Sequence, residues 1–237
     1  MNLFKKLAPA YTVVLAAFLA MALLGDRAVT VFAENTAQKN CPVFIIDPGH
    51  GGIDGGATSC TGVPESQFNL EISLRLNDLM RILGHETVMI RTTDKSVYTS
   101  GDSIAAQKVS DLKQRVKMVN ETENGILISI HQNIFSDGRY SGGQVFYAPD
   151  EVSREVAASL QKAFVRELNP GSNRKCKKAD GIYLMEHISQ PGVLIECGFL
   201  SNIEEEGRLR SKDYQQKLCA VIAVTLSSHF AKGSNLP

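Results

Sequence analysis

The 237-residue chain has no tryptophan and no surplus of either charge. Its 25 lysine and arginine residues balance 25 aspartate and glutamate residues, so the formal net charge at pH 7 is zero. A nucleic-acid-binding domain carries a strong basic surplus, and we therefore expect no nucleic acid among the partners. The lack of tryptophan excludes a sugar-binding platform lined by that residue.

Two common metal-binding signatures are missing as well. No two of the five cysteines have the C-x-x-C spacing, and the H-E-x-x-H motif of many metalloproteases does not occur. An odd number of cysteines in a domain of this size argues against a disulfide framework. A disulfide between Cys60 and either Cys41 or Cys176 stays open for an oxidising compartment. We do not expect a metal ion held by cysteines.

The first 33 residues are typical of a secretory signal. Lys5 and Lys6 precede an apolar run over residues 7–24, and small residues follow up to Ala33. We expect cleavage after Ala33. The alternative is an uncleaved membrane anchor, because the run is just long enough to span a bilayer. In both cases the rest of the chain is expected to work outside the cytoplasm, with residues 34–42 as a linker and residues 43–232 as the folded domain.

From residue 43 onwards, the apolar pattern alternates between the spacing of strands and that of helices. Strands are predicted over residues 43–46, 87–91, 126–130, 144–147, 182–184 and 193–195. Helices are predicted over residues 64–83, 111–120, 151–168 and 213–230, and polar loops over residues 92–109 and 169–180. This alternation predicts a single α/β domain, with a mostly parallel, twisted central sheet flanked by helices on both faces.

Three predicted strands are closely followed by side chains that suit a metal site, namely His50, His131 and Glu196. Open α/β sheets bind ligands at the carboxyl ends of their strands. A lone histidine there is more often a hydrogen-bonded loop residue, but two histidines with a carboxylate indicate a metal site. Glu65 begins the first predicted helix, and glycines before it allow the chain to turn back over that edge. His50, Glu65 and His131 would then form a His-Glu-His site, a ligand set typical of catalytic zinc.

Four motifs around these residues resemble the zinc-dependent N-acetylmuramoyl-L-alanine amidases. In chain order they are D-P-G-H-G-G at residues 47–52, Glu65 with Asn69 and Leu70, S-I-H at residues 129–131, and E-C-G-F-L-S-N at residues 196–202. The resemblance implies that His50, Glu65 and His131 bind one zinc ion per chain, and that Glu196 is the catalytic acid/base. Asn133 and Arg115 are predicted to contact the substrate.

Within this family the chain is most similar to the germination-specific spore amidases. The resemblance implies hydrolysis of the amide bond between N-acetylmuramic acid and L-alanine in peptidoglycan. It also implies removal of stem peptides from spore cortex before muramic δ-lactam forms, in the space around the forespore. An exported lipoprotein that stabilises the zinc-bound form is the expected partner. Gln132 and Ser66 depart from the usual residues beside the ligands, where we expect them to tune substrate fit.

Two other functions stay open at this point. A catalytically weak wall-binding or amidase-regulating module would be expected to have lost a ligand or the acid/base, whereas this chain keeps all four residues. A zinc carboxypeptidase or deacetylase that acts on another bond of the wall is disfavoured by the motif around Glu196.

Overall fold

Strands and helices alternate along the computed structural model, which describes residues 41–231. The strands are β1 (Val43–Pro48), β2 (Thr87–Met89), β3 (Gly125–Asn133), β4 (Gln144–Tyr147), β5 (Lys177–Lys178) and β6 (Gly192–Phe199). The helices are α1 (Glu65–Ile82), α2 (Ile104–Asn120), α3 (Glu151–Glu167), α4 (Tyr183–His187), α5 (Ile203–Arg210) and α6 (Lys212–Ala231). None of these helices is long and apolar enough to cross a membrane. The predicted signal segment and most of the linker lie outside the described residues.

The strands form one sheet in the order β2-β1-β3-β6-β4-β5. The first four of these strands run parallel, whereas β4 is antiparallel to β6. In the three central strands, Ile46 pairs with Ile128, and Ile130 pairs with Ile195. These strands are apolar and buried along nearly their whole length, as is typical of parallel strands covered on both faces. The prediction of a single α/β domain with a mostly parallel sheet is confirmed.

Neighbouring residues of β1 pack into different layers of the core. Ile46 packs with apolar side chains of α1, α3 and α6 on one face of the sheet. Ile45 packs with side chains of α2 and α4 on the other face. Successive side chains of a strand point to opposite faces, so an unbroken apolar run such as β1 requires helices on both sides. This layering confirms the predicted flanking helices and leaves the strand ends accessible as a site.

One predicted strand is wrong. Residues 182–184 do not add a strand to the sheet, because Tyr183–His187 forms the short helix α4. Leu184 and Met185 of this helix are buried against the sheet. A run of three apolar residues does not distinguish a short strand from a buried helical turn, and packing against the sheet decided the outcome here.

Both predicted loops contain regular structure. The loop predicted over residues 92–109 stops at Ser103, which caps α2 by accepting a hydrogen bond from the backbone N–H of Ala106 at 3.2 Å. The loop predicted over residues 169–180 contains β5, where Lys177 pairs with Phe146 of β4. A two-residue edge strand carries no periodic signal, so sequence reasoning had no means of finding it.

Candidate functional site

His131 and Glu196 lie side by side at the carboxyl ends of β3 and β6. The two residues are partners in the register of these parallel strands, and the register shifts between His131 and Asn133. Both side chains are partly exposed, although the strand residues just before them are buried. The structure therefore brings two of the four predicted site residues to the edge of the sheet where α/β folds bind ligands.

His50 reaches the same edge through a loop that only glycine-rich sequence can form. Its own φ is +60°, in the left-handed region. A Cβ atom on Gly49 would lie 2.2 Å from Nε2 of His131. A Cβ atom on Gly56 would lie 2.6 Å from Cδ2 of His50 and 2.7 Å from Oε2 of Glu65. These two glycines therefore allow the close approach of backbone and side chains that the site requires.

Glu65 lies between the two histidines at the first position of α1. Its Oε1 atom is 3.0 Å from Nδ1 of His131, and its Oε2 atom is 3.2 Å from Nε2 of His50. One candidate ligand atom from each of the three residues lies within 4.8 Å of the others. Two imidazole nitrogens and a carboxylate oxygen that converge in this way fit the protein ligands of a catalytic zinc site.

The Glu65 carboxylate is fixed by further donors. The backbone N–H groups of Ala57 and Gln132 donate to it at 3.0 and 3.1 Å, and Nδ2 of Asn69 donates at 3.1 Å. Burial alone would raise the pKa of Glu65, but the hydrogen bonds and charges of His131 and His50 hold it well below its usual range. The carboxylate therefore stays ionised, which is the form that binds a metal ion.

Asp54 holds His50 from the side opposite Glu65, and sequence reasoning missed it. The Oδ2 atom of Asp54 is 2.9 Å from Nδ1 of His50, and the other oxygen is 2.7 Å from Nζ of Lys108. Burial opposes protonation of His50, but its bonds to Glu65 and Asp54 outweigh this and raise its pKa to about 9. A carboxylate on the far nitrogen of a metal-binding histidine orients the ring and its tautomer. The only indication in the sequence was that an aspartate stands four residues after His50.

Glu196 differs from Glu65 in its surroundings. Its Oε2 atom is buried and has no hydrogen-bond partner among residues 41–231. Burial raises the pKa of Glu196 to about 7, and the negative charge of Glu65 adds to this while His131 opposes it. The site thus holds one carboxylate saturated with donors and one with an unsatisfied oxygen.

Arg115 lies beneath the His50 loop rather than at its surface. It is 2% exposed and forms an ion pair with Asp47. Its guanidinium also donates to the carbonyl oxygens of Pro48 and His50, at 3.0 and 2.7 Å. Contact with the substrate stays a prediction for Arg115. Its contacts within the protein hold the loop in place.

The remaining predicted residues have separate positions. Asn133 is half-buried at the end of β3, and its contact with substrate also stays a prediction. Gln132 is 3% exposed and donates from Nε2 to Asn69. Ser66 is equally buried, and its carbonyl oxygen accepts a hydrogen bond from Arg91. Both residues therefore lie beneath the site, and their effect on substrate fit stays a prediction.

Comparison with known proteins is consistent with this geometry. The family model for N-acetylmuramoyl-L-alanine amidase (Amidase_3) matches residues 44–228. The germination-specific N-acetylmuramoyl-L-alanine amidase of Bacillus subtilis (strain 168) is 35% identical over 196 residues, which cover 82% of each chain. The CwlD amidase from Clostridioides difficile, solved in complex with the GerS lipoprotein, superposes with a TM-score of 0.77 at 33% identity, covering 81% of this chain and 99% of that one. An N-acetylmuramoyl-L-alanine amidase from Clostridium difficile 630 gives a TM-score of 0.69 at 28% identity, covering 83% of this chain and all of that one.

Proposed function

The chain belongs to the N-acetylmuramoyl-L-alanine amidase family, and from that premise we propose that His50, Glu65 and His131 hold one zinc ion. The chain is an amidase that acts on peptidoglycan. Glu196 is the acid/base of this proposal, and residues 43–232 form the catalytic domain. The observation that supports the metal site most is the placement of the buried Glu65 carboxylate between two imidazoles, with one oxygen facing each.

The proposed chemistry divides between the metal and Glu196. A bound zinc ion would lower the pKa of a water molecule and polarise the scissile carbonyl. Glu196 takes the proton of the attacking water and delivers it to the nitrogen of L-alanine. The water oxygen forms the new C–O bond to the carbonyl carbon, and the C–N bond then breaks as its nitrogen takes the proton. This leaves a lactyl carboxyl group on the sugar and a free amino group on the peptide. Hydrolysis of an amide needs this proton delivery because an amine anion is a very poor leaving group.

Identification of the new end groups tests this function. Purified protein is incubated with peptidoglycan and saturating zinc, which loads the site without a partner, and the products are analysed by mass spectrometry. The amidase releases peptides that begin with L-alanine and leaves peptide-free muramic acid. A deacetylase would leave free amino groups on the sugars, a carboxypeptidase would release single amino acids, and a binding module would release nothing. Each of these last three results would contradict the proposal.

We further propose spore cortex as the wall that is cut. The similarity to the germination-specific amidase supports this. Removal of the stem peptide leaves a free lactyl carboxyl group on muramic acid. A deacetylase must then expose the neighbouring amine before the two groups can condense to a δ-lactam. The predicted signal segment, residues 1–33, supports action outside the cytoplasm, in the space around the forespore, with the segment either cleaved or kept as an anchor.

A lipoprotein partner is the last part of the proposal. The similar CwlD amidase was solved with the GerS lipoprotein, and we propose an exported lipoprotein that stabilises the zinc-bound form of this chain. A partner that prefers the metal-loaded form must raise zinc affinity by the same factor by which zinc raises affinity for the partner. Zinc titration of the protein without a partner tests this. Tight zinc binding and full activity on cortex would make the partner unnecessary.

A further inference from the structure

A cluster of aromatic side chains lies beside the candidate site and has no role in the scheme above. Phe135 and Tyr140 are 51% and 48% exposed, and their rings meet edge to face with centroids 4.8 Å apart. The ring of Tyr140 also lies 6.2 Å from that of Phe199, which is buried. We call these three residues the aromatic patch. Contiguous exposed apolar surface rimmed by polar residues marks a binding site more often than single exposed side chains do.

The aromatic patch lies at the edge of the sheet that carries His131 and Glu196. Residues 134–143 join β3 to β4, and β4 runs antiparallel to β6. Both ends of this loop therefore lie at the edge where His131 and Glu196 are found. Phe199 pairs with Asn133, which is two residues beyond His131 on β3. The patch and the candidate site therefore share one edge of the sheet, along which a polymeric substrate can extend.

The loop that carries the patch is fastened to the fold at both ends. The carboxylate of Glu205 is fully buried and accepts hydrogen bonds from the backbone N–H of Gly142, at 2.8 and 3.0 Å, and of Phe199, at 2.8 Å. At the other end, the N–H of Phe135 donates to Oγ of Ser201 at 3.1 Å. A surface that is held in place before binding loses less conformational entropy when a ligand arrives. The two ends of the loop are thus held in place before a ligand binds.

We propose that the aromatic patch is a binding subsite for an N-acetylhexosamine ring of the peptidoglycan glycan strand. This rests on the proposed function, in which peptidoglycan is cut at the neighbouring His131 and Glu196. One face of a pyranose ring presents C–H groups, which pack on an aromatic ring, while its hydroxyl and N-acetyl groups require polar partners at the rim. Tyr140 combines both properties, since its ring is apolar and its hydroxyl group is polar.

The charges around the patch favour the sugar over the stem peptide. The stem peptide carries carboxylates, which are recognised by available cations. Two arginines beside the patch have partners within the protein. Arg139 forms an ion pair with Asp137 at 2.7 Å, and Arg174 donates to the carbonyl oxygen of Ser141 at 3.0 Å while it lies 5.1 Å from the centre of the Phe199 ring. The three side chains of the patch itself carry no charge and offer apolar ring surface.

Peptide-free glycan strands test this proposal, because they carry the sugars but no bond for the enzyme to cut. The full chain is titrated with such strands, and affinity is measured by calorimetry. Truncation of a ring that anchors a ligand weakens binding by about tenfold or more, so we expect that loss for Tyr140→Ala. Tyr140→Phe keeps the ring and should retain most of the affinity. Ile82→Ala is the matched control, since Ile82 is 81% exposed at the far end of α1 and should bind like the wild type.

Kinetics on intact peptidoglycan give a second measurement. Tyr140→Ala should raise KM about tenfold and leave kcat nearly unchanged, because the patch binds the strand and takes no part in the chemistry. Unchanged glycan affinity in Tyr140→Ala would overturn the proposal, as would weaker binding of a free stem peptide with glycan binding intact. A wild-type protein that releases no peptide at saturating zinc would instead contradict the proposed function, so the two failures can be told apart.

Discussion

Arg91 and Arg115 donate hydrogen bonds to the same acceptor, the carbonyl oxygen of Pro48, at 2.9 and 3.0 Å. Arg91 also donates to the carbonyl oxygen of Gly49, and Arg115 to that of His50. Three successive carbonyl groups of the loop that presents His50 are therefore held by two buried guanidinium groups. Asp47 lies beneath them and forms an ion pair with Arg115. The position of His50 thus depends on side chains that never reach the surface.

Removal of Arg115 should destabilise the fold. Arg115→Met leaves the buried Asp47 carboxylate without its ion-pair partner, which typically costs about 3–5 kcal/mol of unfolding free energy. Urea denaturation measures the loss. The double variant with Asp47→Asn should recover part of it, because the uncompensated charge is then gone. A substrate-binding role without structural support would predict normal stability and a raised KM, and that result would contradict this interpretation.

The metal site should depend on His131. We expect His131→Ala to lose most of its bound zinc, because one of three converging ligands is gone, and atomic emission on the purified variant measures the content. His187→Ala serves as the control, since His187 is exposed and its ring stacks on that of Tyr183 with centroids 3.9 Å apart. Full zinc occupancy in His131→Ala would remove His131 from the ligand set.

Glu196 should affect turnover without affecting the metal. Glu196→Gln is nearly isosteric and cannot cycle a proton, so we expect activity to fall by about 10²–10⁴-fold while zinc content stays normal. The rate of peptide release and the zinc content are measured on the same preparation. Glu121→Gln, at the exposed end of α2, is the control. Near-normal turnover by Glu196→Gln would show that Glu196 takes no part in proton transfer and has only a structural role.

Asp54 should tune zinc affinity through His50. Loss of a carboxylate that orients a metal-binding histidine typically weakens metal affinity about 10–100-fold, and we expect this for Asp54→Asn. Competition with a zinc chelator gives the affinity directly. Lys108→Met removes only the outer partner of Asp54, so its effect should be smaller. Equal zinc affinity of Asp54→Asn and the wild type would show that the hydrogen bond to His50 has no influence on the metal.

Gly56 should tolerate no side chain. In Gly56→Ala the new Cβ atom would collide with His50 and Glu65, and we expect loss of zinc binding. Gly62→Ala provides a close match, because its φ of +87° is also in the left-handed region but nothing lies within 4 Å of the added atom. This control should lose only the free energy of the left-handed backbone strain, about 1–2 kcal/mol, with zinc binding intact. Similar zinc affinities in the two variants would mean that the site adjusts to the extra methyl group.

The sequence by itself determined the main layers of the fold and the polar residues at the carboxyl ends of its strands. The apolar runs of β1, β3 and β6 are long enough to predict buried strands, and each is followed by a polar residue of a type that serves metal binding or acid–base chemistry. Periodicity and ligand type are local properties, which explains why His50, His131 and Glu196 could be placed without a structure. The zinc ion, the roles of these residues and the domain bounds remain predictions.

Only the tertiary structure decided which residues support those strand ends. Arg115 and Asp47 are 68 positions apart, and nothing in the sequence distinguishes a buried arginine that holds a loop from an exposed one that binds substrate. The same holds for residues 182–184, where packing against the sheet chose a helical turn, and for Phe135 and Tyr140, whose exposure follows from how the loop is anchored. Contacts of this kind depend on which segments the sheet brings together, and a pattern that reports only on neighbours in the chain cannot contain that information.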